Sequence, residues 1–475
     1  MCIRDSYTLN SYGAAVRVDA PLGHTTQTIW CTDLPLPAEC QRRDALKGAE
    51  IDALGRRTVY TYDALGNVTA ETVEIDAITA GHIVATVDKD GQGVTSVVAT
   101  TLYDPLFSKP VRATDAEGNT TWYCLDSPTP QPSGSPCQPT SGRTGNLLAQ
   151  VDALGNRTSY TYDEYGNLLS MTDARSFTTS YLDHTVLGQP QRVVDPLGNV
   201  TNTRYDARGR AVETWDSFGR HAIFAYDALD RKLEERMLDD RGENGAAQTT
   251  RYAYSAGGQL LRMTNGLGHV TENVYDDLGR LVQSIEHDVA QVDGTTVTYS
   301  TTLVYDAASN KVRETNARGI TNVSTYDALS RLVKSELVRG GGNLTLQTFS
   351  YDLAGHKLTA TDKHGYQMAY KYDGLYRVVE EILPYQHNYA DTPFQQAKIQ
   401  RRYDLAGNVV RQTDANGVPT SMVYDDLYRL ERVIDPLGGQ VVYTYDAVGN
   451  KLTEEELVTG VTRAYTYDAL NRILT

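Results

Sequence analysis

A 21-residue spacing runs through this chain and leaves few folds open to it. Tyr403 to Tyr424 and Tyr424 to Tyr445 are each 21 residues apart, as are Tyr205 to Tyr226, Tyr305 to Tyr326 and Tyr351 to Tyr372. The Tyr-Asp pair occurs fourteen times, from Tyr62-Asp63 to Tyr467-Asp468. The register inside a unit is fixed. Tyr403 and Asp404 are followed by Gly407, Asp414, Gly417 and Tyr424. Each unit therefore holds two Asp-x-x-Gly tetrapeptides ten residues apart (414 − 404 = 10). Self-similarity at a fixed period marks a repeat architecture and is settled before any local reading.

The chemistry of the unit points to strands. Asp at the first and Gly at the fourth position of a tetrapeptide suit a type I turn followed by a left-handed residue, a common hairpin connection. The Asp carboxylate accepts backbone N–H groups of its own turn, and Gly tolerates the positive φ. The segments between turns have an ordinary strand length and are rich in Thr, Tyr and Val, which are good strand residues. In Val151 to Asp163, Asn156, Thr158, Tyr160 and Tyr162 share one face, with Arg157, Ser159 and Thr161 on the other. One unit reads as two antiparallel strands and two tight turns. No helical apolar period sustains itself. The expected fold is all-β: a repetitive antiparallel hairpin array.

Composition fits a thin wall better than a deep core. Tyr is abundant at 32 and Phe scarce at 6. Tyr offers an apolar body to pack and a hydroxyl that finds a partner. The net charge of −16 argues against nucleic acid, whose affinity comes from Lys and Arg. No apolar run has the length of a membrane span, and no charged-then-apolar leader opens the chain.

Residues 1–6 fit no part of the repeat, and 7–475 read as one continuous array that stops inside a unit. The five cysteines lie in the first third. Cys31 and Cys40 bracket one Pro-containing stretch, and Cys124 and Cys137 bracket another. Two loops, each closed by its own pair, is the simplest reading; free buried thiols are the alternative. Disulfides would place the chain in an oxidising compartment. Cys2 has no obvious partner. Val73 to Val98 reads as longer strands with wider loops. The stretches Met237–Arg251, Ile285–Ser300, Glu336–Phe349, Ile382–Gln400 and Glu454–Arg463 read as hairpins that project further.

The hexapeptides Tyr205-Asp206-Ala207-Arg208-Gly209-Arg210 and Tyr275-Asp276-Asp277-Leu278-Gly279-Arg280 resemble the signature of the Rhs/YD-repeat family. The resemblance covers nearly the whole chain from about Tyr7. It implies a ribbon that winds as a spiral into a hollow β-shell, left partial or open if this many units do not close it. In bacterial Rhs proteins and toxin complexes such a shell encloses a C-terminal toxin domain, which would lie outside this chain as a covalently linked partner. In wall-associated and animal relatives it is an extracellular module linked to adhesion and glycans. The resemblance implies export, to the medium or the cell surface. The family's self-cleaving core segment is not found here, so no cleavage residue is carried over.

Catalytic, cofactor and metal sites are not expected. The recurring Asp residues are explained by turn hydrogen bonding, and repetition gives them similar surroundings, whereas a catalytic pair needs unequal ones. A calcium loop needs closely alternating acidic ligands. The nine histidines are scattered, and His356 and His364, the closest pair, lie near different turns. They read as solvated turn or strand residues. No His-Glu-x-x-His, Gly-x-Ser-x-Gly or phosphate-binding loop occurs. The sequence thus points to a structural shell segment without enzymatic activity. An extracellular glycan-binding module, with aromatics such as Trp215 stacking on sugar, is the alternative.

Overall fold

The computed structural model describes residues 6–9, 15–30, 46–75, 82–239, 247–290, 295–340, 342–384 and 396–475. These residues form 37 strands and one short 3-10 turn, Pro21–Gly23. Every strand pairs antiparallel with the next one in sequence. Pro419–Tyr424 pairs with Leu430–Ile434, which pairs with Gln440–Tyr445, and so on from Ser6–Leu9 to Val461–Ala464. The result is one continuous meander, a ribbon a single hairpin wide, as the repeat predicts.

The unit at Asp276 shows why these residues make this turn. The Asp276 Oδ1 accepts the N–H of Leu278 at 3.0 Å and of Arg280 at 2.9 Å. The Gly279 N–H donates to the Asp276 carbonyl at 2.9 Å, and the Asp276 N–H to the Arg280 carbonyl at 2.9 Å. Gly279 sits at φ 77°, where a side chain would be strained. Arg280 then does two things. Its Nε donates to Asp276 Oδ2 at 2.7 Å. Its Nη1 reaches the carbonyl of Asp306, the next such turn, at 2.9 Å, with the guanidinium 4.9 Å from the Tyr305 ring centroid. The same relay joins Arg331 to Asp352 and Tyr351, and Arg429 to Asp446 and Tyr445. Where Asn replaces Arg, as at Asn450, the amide caps its own Asp446 at 2.7 Å.

The tyrosine of each Tyr-Asp pair fixes the spacing between strands. Tyr275 donates its hydroxyl to the carbonyl of Leu260 at 3.0 Å, and Tyr445 to that of Leu430 at 2.7 Å, each fifteen residues earlier. This acceptor opens the strand just before the tyrosine's own, so the side chain ties neighbouring strands at the rim. Beside the tyrosine the ladder slips: between Val274 and Tyr275 the register shifts, as in a bulge. The turns at the other side, such as Thr172 to Thr178, keep their register. The ribbon thus has two unlike rims, one made of the Tyr-Asp turns and one of the turns ten residues later.

The wall is thin. Ten hydrophobic side chains are buried among the described residues, and the accessible surface is 27499 Å². A compact protein of 52.4 kDa would expose roughly 17,600 Å². The excess is what an open sheet with two wetted faces requires.

Much of the burial gathers under the second Cys loop. Cys124 and Cys137 form a disulfide, with Cα atoms 5.1 Å apart. They pack with Ala149, Val151 and Trp122. Ser127 donates to the fully buried Asp104 at 2.7 Å, and Thr140 and Thr144 both donate to Asp126 at 2.6 Å. Cys31 and Cys40 lie outside the described residues, so that pairing stands as an expectation. Two projecting hairpins appear as read: Leu281–Ala290 with Thr296–Tyr305, and Leu332–Arg339 with Gly342–Tyr351. The stretch Val73 to Val98 has the longer strands and wide connection of its reading, Val68–Glu74 and Ser96–Tyr103, but residues 82–86 of that connection meet a distant strand, which the reading did not include.

Tyr275→Phe should lower local stability by about 1 kcal/mol, the worth of a neutral hydrogen bond. Amide exchange should quicken in Leu260–Thr264 and Val270–Tyr275 and stay unchanged in remote strands, because repeats are coupled chiefly to their neighbours. Cys137→Ser should destabilise the 126–146 loop by up to about 3 kcal/mol, measured the same way.

Candidate functional site: the seam between two passes of the ribbon

A meander whose strands pair only with sequence neighbours has no reason to meet itself again. This one does. Contacts join residues 270 to 324 positions apart, all in one band. The Tyr-side rim from Asp352 to Asn471 lies against the far rim from Asp52 to Arg175. The ribbon therefore makes about one revolution in that length and then runs along its own earlier edge.

The first junction is the most buried. Residues 82–94 cross to the strand Gln367–Tyr372, where Ile83 bridges Tyr372 in parallel. The Val84 N–H donates to the Tyr372 carbonyl at 2.8 Å, and the Tyr372 N–H to the His82 carbonyl at 3.0 Å. The Gly374 N–H donates to Thr86 Oγ1 at 2.8 Å. A Cβ on Gly374 would stand 2.8 Å from the Ile75 Cβ, so the two passes approach as closely as glycine allows. Asp352, with 2% of its side chain exposed, is shared by two histidines: His82 Nε2 and His356 Nδ1 each lie 2.9 Å from its Oδ2. Burial pushes the Asp352 carboxyl up, but hydrogen bonds from the His356 side chain and N–H and from His82 outweigh it and hold the carboxyl at about 2. His356 packs on Tyr376, ring centroids 4.2 Å apart. The solvated reading of the histidines fails for His82 and His356. His364 does lie in an exposed turn, as read.

Two further junctions follow. Tyr376 donates to Asp52 Oδ2 at 2.7 Å, with the Arg56 guanidinium 4.1 Å from its ring centroid. Tyr428 donates to Asp115 Oδ2 and accepts from Asn119 Nδ2 at 3.0 Å. Between them the Leu405 N–H reaches Glu117 Oε1, and Lys89 lies 3.7 Å from the same carboxylate. A cavity of about 460 Å³ opens here, lined by Lys89, Glu117, Arg402, Asp404, Asp425 and Tyr428 among others. At the last junction Arg175 contacts the Asp468 carbonyl at 3.3 Å, Asn471 Oδ1, and Asp446 Oδ2 at 3.5 Å.

Several turn leucines are less exposed on the seam than off it. Leu54, Leu375, Leu427 and Leu470, in seam turns, are half-buried. Leu187, Leu278 and Leu437, in turns without a facing pass, are 60%, 73% and 96% exposed. Nothing in the repeat spelling marked the seam, although the two bulkiest departures from it were visible: Tyr376 and Tyr428 stand where most units have Gly.

The low value of Asp352 sets a pH dependence. A carboxyl depressed in the folded state stabilises above its ordinary value of 3.8 and loses that contribution as pH falls toward about 2. Asp352→Asn should therefore weaken the seam at neutral pH. The gap between variant and parent should close between about pH 4 and 2, measured by exchange at the Val84 and Tyr372 amides.

Comparison with known proteins agrees with this architecture. A profile of the RHS Repeat family matches residues 49–74, 143–178 and 403–440. No curated protein sequence matches the chain. Among solved structures, the crystal structure of TcdB2-TccC3 superposes with a TM-score of 0.61 at 15% identity, covering 99% of this chain and 33% of that one. TcdB2-TccC3-Cdc42 gives 0.62 at 15% identity, over 98% of this chain and 28% of that one. The Photorhabdus luminescens Tc holotoxin pore, with a TccC3 mutation, gives 0.60 at 16%, over 95% and 27%. The chain spans a third or less of the length of these structures. The repeated turn chemistry, the 37-strand meander and these matches agree: three stretches of the chain match the RHS Repeat family, and its all-β fold is similar to that of the toxin-complex structures.

Proposed function

We propose that this chain is a shell segment that encloses or presents a covalently linked C-terminal toxin or effector domain, and that its role is structural and not enzymatic. The observation that carries the reading is the seam. A ribbon that returns to its own edge after about one revolution bounds a space, and side chains from both passes are spent on holding that edge shut. The likeness to TcdB2-TccC3 supports a toxin setting. Export, to the medium or the surface of a bacterium, is supported by the Cys124–Cys137 disulfide, since such bonds persist in oxidising compartments. Among the described residues no helix is long and apolar enough to cross a membrane.

Electron microscopy of the full-length product should show a hollow particle with density inside that is lost when the C-terminal domain is deleted. A solid globule or an open rod would sink the reading. Glycan-array screening of this segment addresses the alternative. Trp215 is 39% exposed and Tyr165 81%, and saturable binding to a defined sugar would favour an adhesion module in place of a container.

A further inference from the structure

Ten non-glycine residues among those described take a positive φ, and two of them are tyrosines: Tyr376 at 65° and Tyr428 at 62°. The left-handed region is costly for a bulky side chain. Both occupy the fourth position of a turn, in Asp373-Gly374-Leu375-Tyr376 and Asp425-Asp426-Leu427-Tyr428, where most units have Gly. Their turns are otherwise ordinary. The Tyr376 N–H donates to the Asp373 carbonyl at 2.9 Å, and the Tyr428 N–H to that of Asp425 at 2.8 Å. Local geometry thus gives no reason for tyrosine. Strain of this kind persists where the surroundings use it.

Both side chains cross the seam and perform the same substitution on the facing turn. In an undisturbed turn the Asp Oδ2 is capped by the side chain four residues on. Asn156 caps Asp152 at 2.9 Å, and Arg331 caps Asp327 at 2.7 Å. At Asp52 the partner Arg56 has drawn back to 3.3 Å, the Tyr376 hydroxyl donates to Oδ2 instead, and Arg56 covers the ring. At Asp115 the partner Asn119 donates to the Tyr428 hydroxyl, which donates to Oδ2. In each case a hydroxyl from one pass donates to the carboxylate oxygen that the fourth-residue side chain would cap: it shares Asp52 Oδ2 with Arg56 and stands between Asp115 and Asn119. Burial and the Asp contacts push both hydroxyls above their usual range, so they stay protonated donors.

We propose that Tyr376 and Tyr428 are the residues that determine the register in which the second pass of the ribbon docks on the first, by recognising the Asp52–Arg56 and Asp115–Asn119 turns. Two points of recognition fix both position and direction along the edge. Most other turns have Gly here, which presents no side chain to a neighbour; Ser and Asp, where they replace it, are too short to reach across as a tyrosine does. The proposal does not depend on what the shell encloses.

The test separates a recognition role from a turn role, because the two predict opposite signs. Four amides bond across the seam and report its closure: Val84, Tyr372, Gly374 and Leu405. Hydrogen exchange is measured on the whole chain. For Tyr376→Gly, protection at Val84, Tyr372 and Gly374 should fall by about tenfold or more, the scale of a hydrogen bond to a charged group. Tyr428→Gly should do the same at Leu405. Ser330→Gly, which relieves φ 61° at an exposed turn away from the seam, should leave all four unchanged. Unchanged or increased protection in the tyrosine variants would overturn the proposal, since glycine would then only have relieved strain. If the glycine variants lose protection everywhere, Tyr376→Phe and Tyr428→Phe decide. They keep ring and backbone, and parental protection at the seam amides in them would overturn the proposal equally.

Discussion

The carboxylate at the start of each turn is the interaction on which the rest of this structure depends. One oxygen of Asp276 organises the turn backbone, and the other holds the arginine that reaches the next turn. Its position then sets the tyrosine beside it, whose hydroxyl ties its strand to the start of the one before. A wall with few buried side chains has little hydrophobic burial to draw on. Repeated, directional, charge-assisted hydrogen bonds supply what a core would otherwise supply. The Asp residues are abundant because each turn needs its own.

The same carboxylate is also the point of contact between passes. Its second oxygen can be capped from within the turn or from outside it. At Asp152 and Asp327 the cap is internal. At Asp52 a tyrosine from the other pass shares it with Arg56, and at Asp115 a tyrosine takes it over. One chemical unit thus serves both the ribbon and its closure, and the ribbon needs no separate docking domain to return to its own edge. Buried polar groups at the seam, Asp352, Asp373, Asp404 and Thr86, follow from this. Where two polar rims are pressed together, the groups between them lose water and must satisfy one another.

Nearly all of the ribbon was legible in the residues. Asp and Gly at fixed spacing specify the turn, Thr and Tyr between them specify strands, and such local signals are independent of what lies far away. The reading of Val73 to Val98 as longer strands with wider loops missed the crossing to another pass, because nothing local distinguishes an insertion that loops into solvent from one that crosses. The histidines failed in the same way. His82 and His356 carry ordinary spellings, and only their meeting over Asp352, 270 residues from His82, makes them half-buried partners of one carboxylate. The Cys124–Cys137 pair was legible because a disulfide across a short loop is itself a local feature.

The sequence by itself determined the hairpin, the two unlike rims and the absence of a conventional core, since each follows from residues within one period of each other. Only the tertiary structure decided how far the ribbon curves before it meets itself, and therefore which turns face each other. Curvature is the sum of small twists and bulges over many strands. No single unit encodes it, and an error in each would accumulate along the revolution. Two tyrosines in place of glycine are the sequence's local record of that global fact. Their meaning appears only when the turns of the earlier pass are seen beside them.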